Sequence, residues 1–195
     1  GSGYGEDIVY GNQGSDLVFG GGGMDTLYGG QDADTVRGDN DNDFVYGNKG
    51  NDTLSGGEND DVLFGGQNDD IVYGNTGNDS LNGNLGDDTL YGGQGNDLIS
   101  GHEGNDHLEG NKGDDTLVGG DGADTFAFQF NGGNDRVEDF QVGTDSLEFQ
   151  NGLTYAASEN AGNTVLTLSD GGTVTLVGVS PSELGIAAQA GWEFV

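Results

Sequence analysis

The sequence predicts an all-β fold, a parallel β-solenoid with about 18 residues per turn, closed at one end by a β-rich cap. Three observations carry this. A nine-residue unit recurs fourteen times between residues 2 and 127 without insertion. Its eighth position is always apolar, while its first six are dominated by Gly, Asn and Asp. Its sixth position is Asp in every copy.

The cleanest copy is Gly92-Gly93-Gln94-Gly95-Asn96-Asp97-Leu98-Ile99-Ser100. Each unit reads as a Gly, Asn and Asp turn followed by a short extended piece whose middle side chain points inward. One unit cannot close a coil, but two can, so units alternate between two sheets. Val9, Leu27, Val45, Leu63, Leu81, Ile99 and Leu117 are expected to stack inside one sheet. Val18, Val36, Leu54, Val72, Leu90, Leu108 and Phe126 are expected inside the other. Seven such turns give a rod about 34 Å long. Position four is Gly except at Asp32, Asp41, Asn59 and Asn68. Asn and Asp are the side chains that best tolerate positive φ, so the backbone is expected to be unchanged there.

After Ala127 the period degrades. Gly133-Asn134-Asp135-Arg136-Val137 repeats the unit's middle two residues late, and Gly143-Thr144-Asp145-Ser146-Leu147 one residue later again. Thr164–Leu168 and Thr173–Val177 flank Ser169-Asp170-Gly171-Gly172, a hairpin signal. Ser180-Pro181-Ser182-Glu183 reads as a capping box that opens a short helical turn. Residues 2–127 are therefore assigned to the solenoid and 128–195 to a C-terminal cap that covers its open edge, with Trp192 expected inside the cap.

With 35 acidic side chains against four Lys and Arg, the formal net charge is −31. Nucleic acid and anionic membrane would be repelled, and no apolar run reaches the length of a membrane span. There is no Cys, so stabilisation from outside the core must come from a cation or a partner. The chain opens in mid-repeat at Gly1-Ser2-Gly3, so it is expected to be a piece of a larger protein.

Turns of the form Gly-Gly-x-Gly-x-Asp concentrate backbone carbonyls and one carboxylate, and the coil stacks each turn on the copy two units along. Two stacked turns make an oxygen cage. Hard oxygen donors in flexible geometry suit Ca²⁺, whereas Mg²⁺ demands a stricter octahedron and transition metals prefer His or Cys. The candidate ligands are the position-six carboxylates Asp7, Asp16, Asp25, Asp34, Asp43, Asp52, Asp61, Asp70, Asp79, Asp88, Asp97, Asp106, Asp115 and Asp124. Fourteen turns form twelve pairs two units apart, so about twelve Ca²⁺ are expected. They would bring −31 to about −7, which a small domain tolerates. Asp135 and Asp145 stand outside the register, and whether they bind metal is left open.

The unit resembles the nonapeptide of the RTX (repeats-in-toxin) family, Gly-Gly-x-Gly-x-Asp-x-apolar-x. The resemblance implies a parallel, right-handed β-roll with Ca²⁺ between stacked turns. It also implies export by the type I secretion machinery of a Gram-negative-type bacterium, through a signal near the C-terminus, and a secreted or cell-surface location. Where Ser2, Asp32, Asp41, Asn59 or Asn68 replaces the family's Gly, the sites are expected to be altered.

The leading expectation for function is a Ca²⁺-driven folding switch that serves secretion. The alternative is an adhesive or surface-layer module that binds a glycan or a neighbouring subunit through an outward aromatic ladder, Tyr10, Tyr28, Tyr46 and Phe64. An enzyme is disfavoured. No zinc-protease or nucleophile-elbow motif occurs, and any catalytic domain is expected upstream.

Overall fold

The structure is a computed structural model that describes residues 3–184. The expectations for Ser2, for Trp192 and for a signal near the C-terminus lie outside the described residues. One sheet stacks β1 (Gly3–Tyr4), β3 (Leu17–Gly22), β5 (Thr35–Asn40), β7 (Thr53–Glu58), β9 (Ile71–Thr76), β11 (Thr89–Gln94), β13 (His107–Lys112), β15 (Thr125–Phe128) and β17 (Ser146–Phe149). The other begins with β2 (Ile8–Gln13), β4 (Thr26–Gln31), β6 (Phe44–Lys49), β8 (Val62–Gln67), β10 (Ser80–Leu85), β12 (Leu98–Glu103) and β14 (Thr116–Asp121). It continues through β16 (Asn134–Val137), β20 (Thr173–Leu176), β19 (Asn163–Leu168) and β18 (Tyr155–Asn160). The fold is an all-β parallel solenoid of about 8 turns.

Each repeat strand spans positions seven, eight, nine, one, two and three, so alternation sends positions eight and one inward. The register is two units, with Leu81 level with Leu63 on one side and Ile99 on the other. From Leu27 to Phe126 every position-eight side chain is fully buried, in the two columns expected. A column one side chain wide cannot stand alone in a single unit; stacking makes it a core.

The turns reverse the chain with two left-handed residues, at positions two and four. Asp32, Asp41, Asn59 and Asn68 all have positive φ, between 72° and 78°, so the four exceptions keep the glycine backbone. His102, at position two, does the same at φ 78°. Position one needs glycine for a different reason. Gly29 is not left-handed, but a side chain on it would project 2.8 Å from Asp34 Oδ2 and 2.9 Å from the Gly47 carbonyl oxygen. A side chain at position one would collide with those two oxygens.

Beyond Ala127 the coil continues with longer loops. Leu117 lies level with Val137 and Phe126 with Leu147, so the return lengthens first by two residues and then by three. The two late partial copies thus supply β16 and β17. Past Val137, side chains replace the missing strand. Asp139 accepts from Gly119 N (2.9 Å) and Gly120 N (2.8 Å), Gln141 Nε2 donates to the Gly120 carbonyl (2.9 Å), and Phe140 packs on Phe126. The expected hairpin is β19–β20, and β20 also pairs parallel with β16. At the expected capping box, Ser180 N and Oγ both donate to Glu183 Oε2 at 2.7 Å, over a turn at 181–184.

Candidate metal centre

The position-six Asp residues enter each strand from the turn and point inward, because position six has the same parity as position eight. Asp25 to Asp124 are only 1–3% exposed. They form two vertical columns, one at each edge of the flattened coil. Within a column each Oδ1 accepts a hydrogen bond from the backbone N–H of the Asp two units earlier. Asp97 Oδ1 takes Asp79 N and Asp115 Oδ1 takes Asp97 N, both at 2.8 Å. Asp7 and Asp16, at the N-terminal end of the rod, are only half-buried.

The second carboxylate oxygen is the decisive feature. In thirteen residues, Asp16 to Asp124 in steps of nine, Oδ2 is buried and accepts no hydrogen bond. A buried acceptor with no donor costs roughly 1–3 kcal/mol, and more when charged. Each Oδ2 lies against the position-one Gly of its own turn. For Asp34 the carbonyl oxygen of Gly47, in the next turn of the stack, faces the same space. At Gly119 the Phe126 ring stands where that carbonyl would be, so the slot at Asp124 is half apolar.

Electrostatics repeat the pattern. Burial is the largest influence and pushes Asp61 and Asp70 up to about 8, and Asp79, Asp88 and Asp115 up to about 7. It pushes Asp43, Asp52, Asp97 and Asp106 up to about 6. The N–H bond to Oδ1 opposes the shift, and neighbouring carboxylates add to it. Carboxylates this crowded and dry need a cation or a proton. Among the described residues no group of three or more His, Cys, Asp and Glu side chains converges. The donors are one carboxylate oxygen and backbone carbonyls, a set that fits a hard cation.

The chain matches the profile of the RTX calcium-binding nonapeptide repeat in four copies, over residues 2–36, 37–72, 64–99 and 100–128. The chain belongs to the RTX repeat family. RTX repeats bind Ca²⁺. A search of curated proteins gave no match. Similar solved structures include the following two. The extracellular lipase LipA from Serratia marcescens is 20% identical over 83% of this chain and 38% of that chain, with a TM-score of 0.36. The AlgE6R3 subunit of the Azotobacter vinelandii mannuronan C5-epimerase is 26% identical over 72% of this chain and 87% of that chain, with a TM-score of 0.39. The chain thus spans 38% of the length of the lipase.

Sequence reasoning missed two features of the site. It did not anticipate the side-chain strand of Asp139 and Gln141. It also overlooked a ladder of Asn and Asp side chains at position five, which begins at Asp60 and is visible once the units are aligned in columns.

Proposed function

We propose that this RTX module is a Ca²⁺-driven folding switch that supports type I secretion and folding of a larger exoprotein. The carrying observation is the row of thirteen buried, unpartnered carboxylate oxygens in a chain of net charge −31. The fourteen position-six residues, Asp7 through Asp124, are the proposed side-chain ligands, with turn carbonyls completing the shells of about twelve ions. Bound Ca²⁺ supplies the positive charge that these oxygens lack. Without it the two carboxylate columns repel and the chain stays extended, a form that can be threaded through an exporter. At the 10⁻⁴ to 10⁻³ M range typical of extracellular modules, binding becomes folding energy. RTX repeat proteins are typically secreted by Gram-negative bacteria, which supports an extracellular or cell-surface location. Among the described residues no helix is long and apolar enough to cross a membrane. Residues 2–127 are the proposed metal-binding unit, and 128–195 the cap and exporter-read region. Circular dichroism in chelator and then in excess Ca²⁺ tests this. Disorder followed by β structure is expected, and a chain already β-structured in chelator sinks the proposal.

A second reading, contact with a neighbouring subunit or a glycan, rests on one face. Strands β2, β4, β6 and β8 contain no Asp or Glu in a chain with 35, and Ile8, Tyr10 and Phe44 are exposed on them. Tyr10, Tyr28, Tyr46 and Phe64 stack at 4.9, 4.9 and 5.1 Å. Their ring faces are turned to one another, so edges and hydroxyls remain for a partner, and stacking alone stabilises the sheet. Replacing Tyr28 and Tyr46 with Ser is expected to abolish self-association or glycan retention; unchanged binding removes this reading.

A further inference from the structure

Past the last full repeat, the turn over residues 129–135 holds an oxygen cluster that the nine-residue pattern does not announce. The return here is two residues longer than in the repeats, and buried Phe128 fills the place that position-one Gly takes elsewhere. Asp135 is nevertheless 5% exposed, and its Oδ1 accepts from Asp115 N at 3.1 Å, continuing the column. Among the described residues its Oδ2 accepts no hydrogen bond. Gly132 opens the space beside it. The three atoms nearest to where a Gly132 side chain would project are all oxygens: the carbonyls of Asn111 and Gln129 at 3.2 Å each, and Asp135 Oδ2 at 3.7 Å. The Gln129 carbonyl takes only a long bond from Gly132 N, 3.3 Å. The charges of Asp114, Asp115 and Asp170 act on the same carboxylate. Asp170 belongs to the β19–β20 hairpin turn, which is strapped on by Asn131 N to Asp170 Oδ2 (2.6 Å) and Thr173 N to the Gly133 carbonyl (3.0 Å).

We infer that this irregular turn is a further Ca²⁺ site, in which Asp135 Oδ2 and the carbonyl oxygens of Gln129 and Asn111 hold one ion at the junction of roll and hairpin. The inference rests on the Ca²⁺ reading of the repeats. One carboxylate oxygen without a donor, on a residue only 5% exposed, with two carbonyls, and water to complete the shell, is a hard and flexible donor set. The opposite column gains no equivalent. Asp145 has both oxygens occupied by N–H donors, Asp124 N at 3.1 Å and Gln141 N at 2.7 Å.

The test is a count of bound Ca²⁺ per chain, by equilibrium dialysis and native mass spectrometry, on the full 195-residue chain. Asp135→Asn and Gly132→Ala are each expected to bind one ion fewer than the wild type, with the β signature in Ca²⁺ retained. Gly132 is not left-handed, so alanine is compatible with its backbone while its methyl group occupies the space between the oxygens. If Asp135→Asn loses more than one ion because the cap fails to fold, Gly132→Ala decides. A Gly132→Ala count equal to that of a wild type that fills its repeats overturns this inference alone. A wild type that binds no Ca²⁺ overturns the reading of the repeats with it.

Discussion

The two halves of the roll follow one nine-residue rule, but their turns are tied differently. From Asp60 onward position five forms a continuous side-chain ladder. Asn78 N donates to Asp60 Oδ1 (2.7 Å), Asn96 N to Asn78 Oδ1 (2.9 Å), Asp114 N to Asn96 Oδ1 (2.9 Å) and Asn134 N to Asp114 Oδ1 (2.8 Å). The other column does the same through Asp69, Asp87 and Asn105. Before Asp60 position five holds Glu6, Ser15, Met24, Ala33, Asn42 and Asn51, and no such ladder forms among the described residues. Only Asp32 and Asp41 make a related contact, accepting from Gly14 N and Gly23 N. The C-terminal half therefore has a second set of turn-to-turn bonds that does not depend on the interior carboxylates. Besides the strand ladders and apolar columns common to both halves, the N-terminal half has the interior carboxylates, the two Asp32 and Asp41 contacts and its outer aromatic stack.

Acid should exaggerate this difference most. Most of the carboxylates raised furthest, to about 7 or 8, lie between Asp61 and Asp115. A folded-state value above the unfolded one means that protonation favours the fold. That contribution is complete below about pH 4 and is lost as pH rises through 6 to 8; each tenfold difference in a group's proton affinity between the two states amounts to at most about 1.4 kcal/mol, less where water screens it. In chelator, lowering pH from 9 to 5 is expected to restore amide protection in residues 60–134 before residues 8–58, read by hydrogen exchange. Simultaneous recovery of both halves would contradict the comparison.

Stepwise withdrawal of Ca²⁺ at neutral pH should show the same order in reverse. Residues 8–58 are expected to lose protection at roughly tenfold higher free Ca²⁺, equivalent to about 1.4 kcal/mol. Coincident midpoints would show that the ladder is inert. Gly92→Ala forces a methyl group against Asp97 Oδ2 and the Gly110 carbonyl, so about 1–3 kcal/mol of folded stability in Ca²⁺ should be lost. A thermal midpoint equal to wild type would mean that the turn interior yields without cost. Smallest is Asn96→Ala, which strips Asp114 N of its acceptor and should cost about 1 kcal/mol. Asn51→Ala, outside the ladder, should cost close to nothing in the same thermal melt.

Much of this was legible in the chain. Ile99 had to lie level with Leu81 and Leu117 because a strict two-unit return leaves no other register, and Asp32 had to keep a left-handed backbone because Asp tolerates it. Residues 128–149 were harder to read. Loops lengthened by two and three residues hide a coil that persists in space, since pairing reads backbone position rather than sequence interval. The substitution of Asp139 and Gln141 side chains for a strand leaves no local signature at all.

By itself, then, the sequence determined the repeat, the inward columns of apolar residues and Asp, and the need for a cation, because periodicity and net charge are properties of the chain alone. Which oxygen of each carboxylate is left without a donor was decided only by the tertiary structure. So were the steric need for glycine at position one, the start of the outer ladder at Asp60 and the gathering of Asp135 with Asn111 and Gln129. Each of these depends on what the neighbouring turn places alongside, and no single unit contains its neighbour.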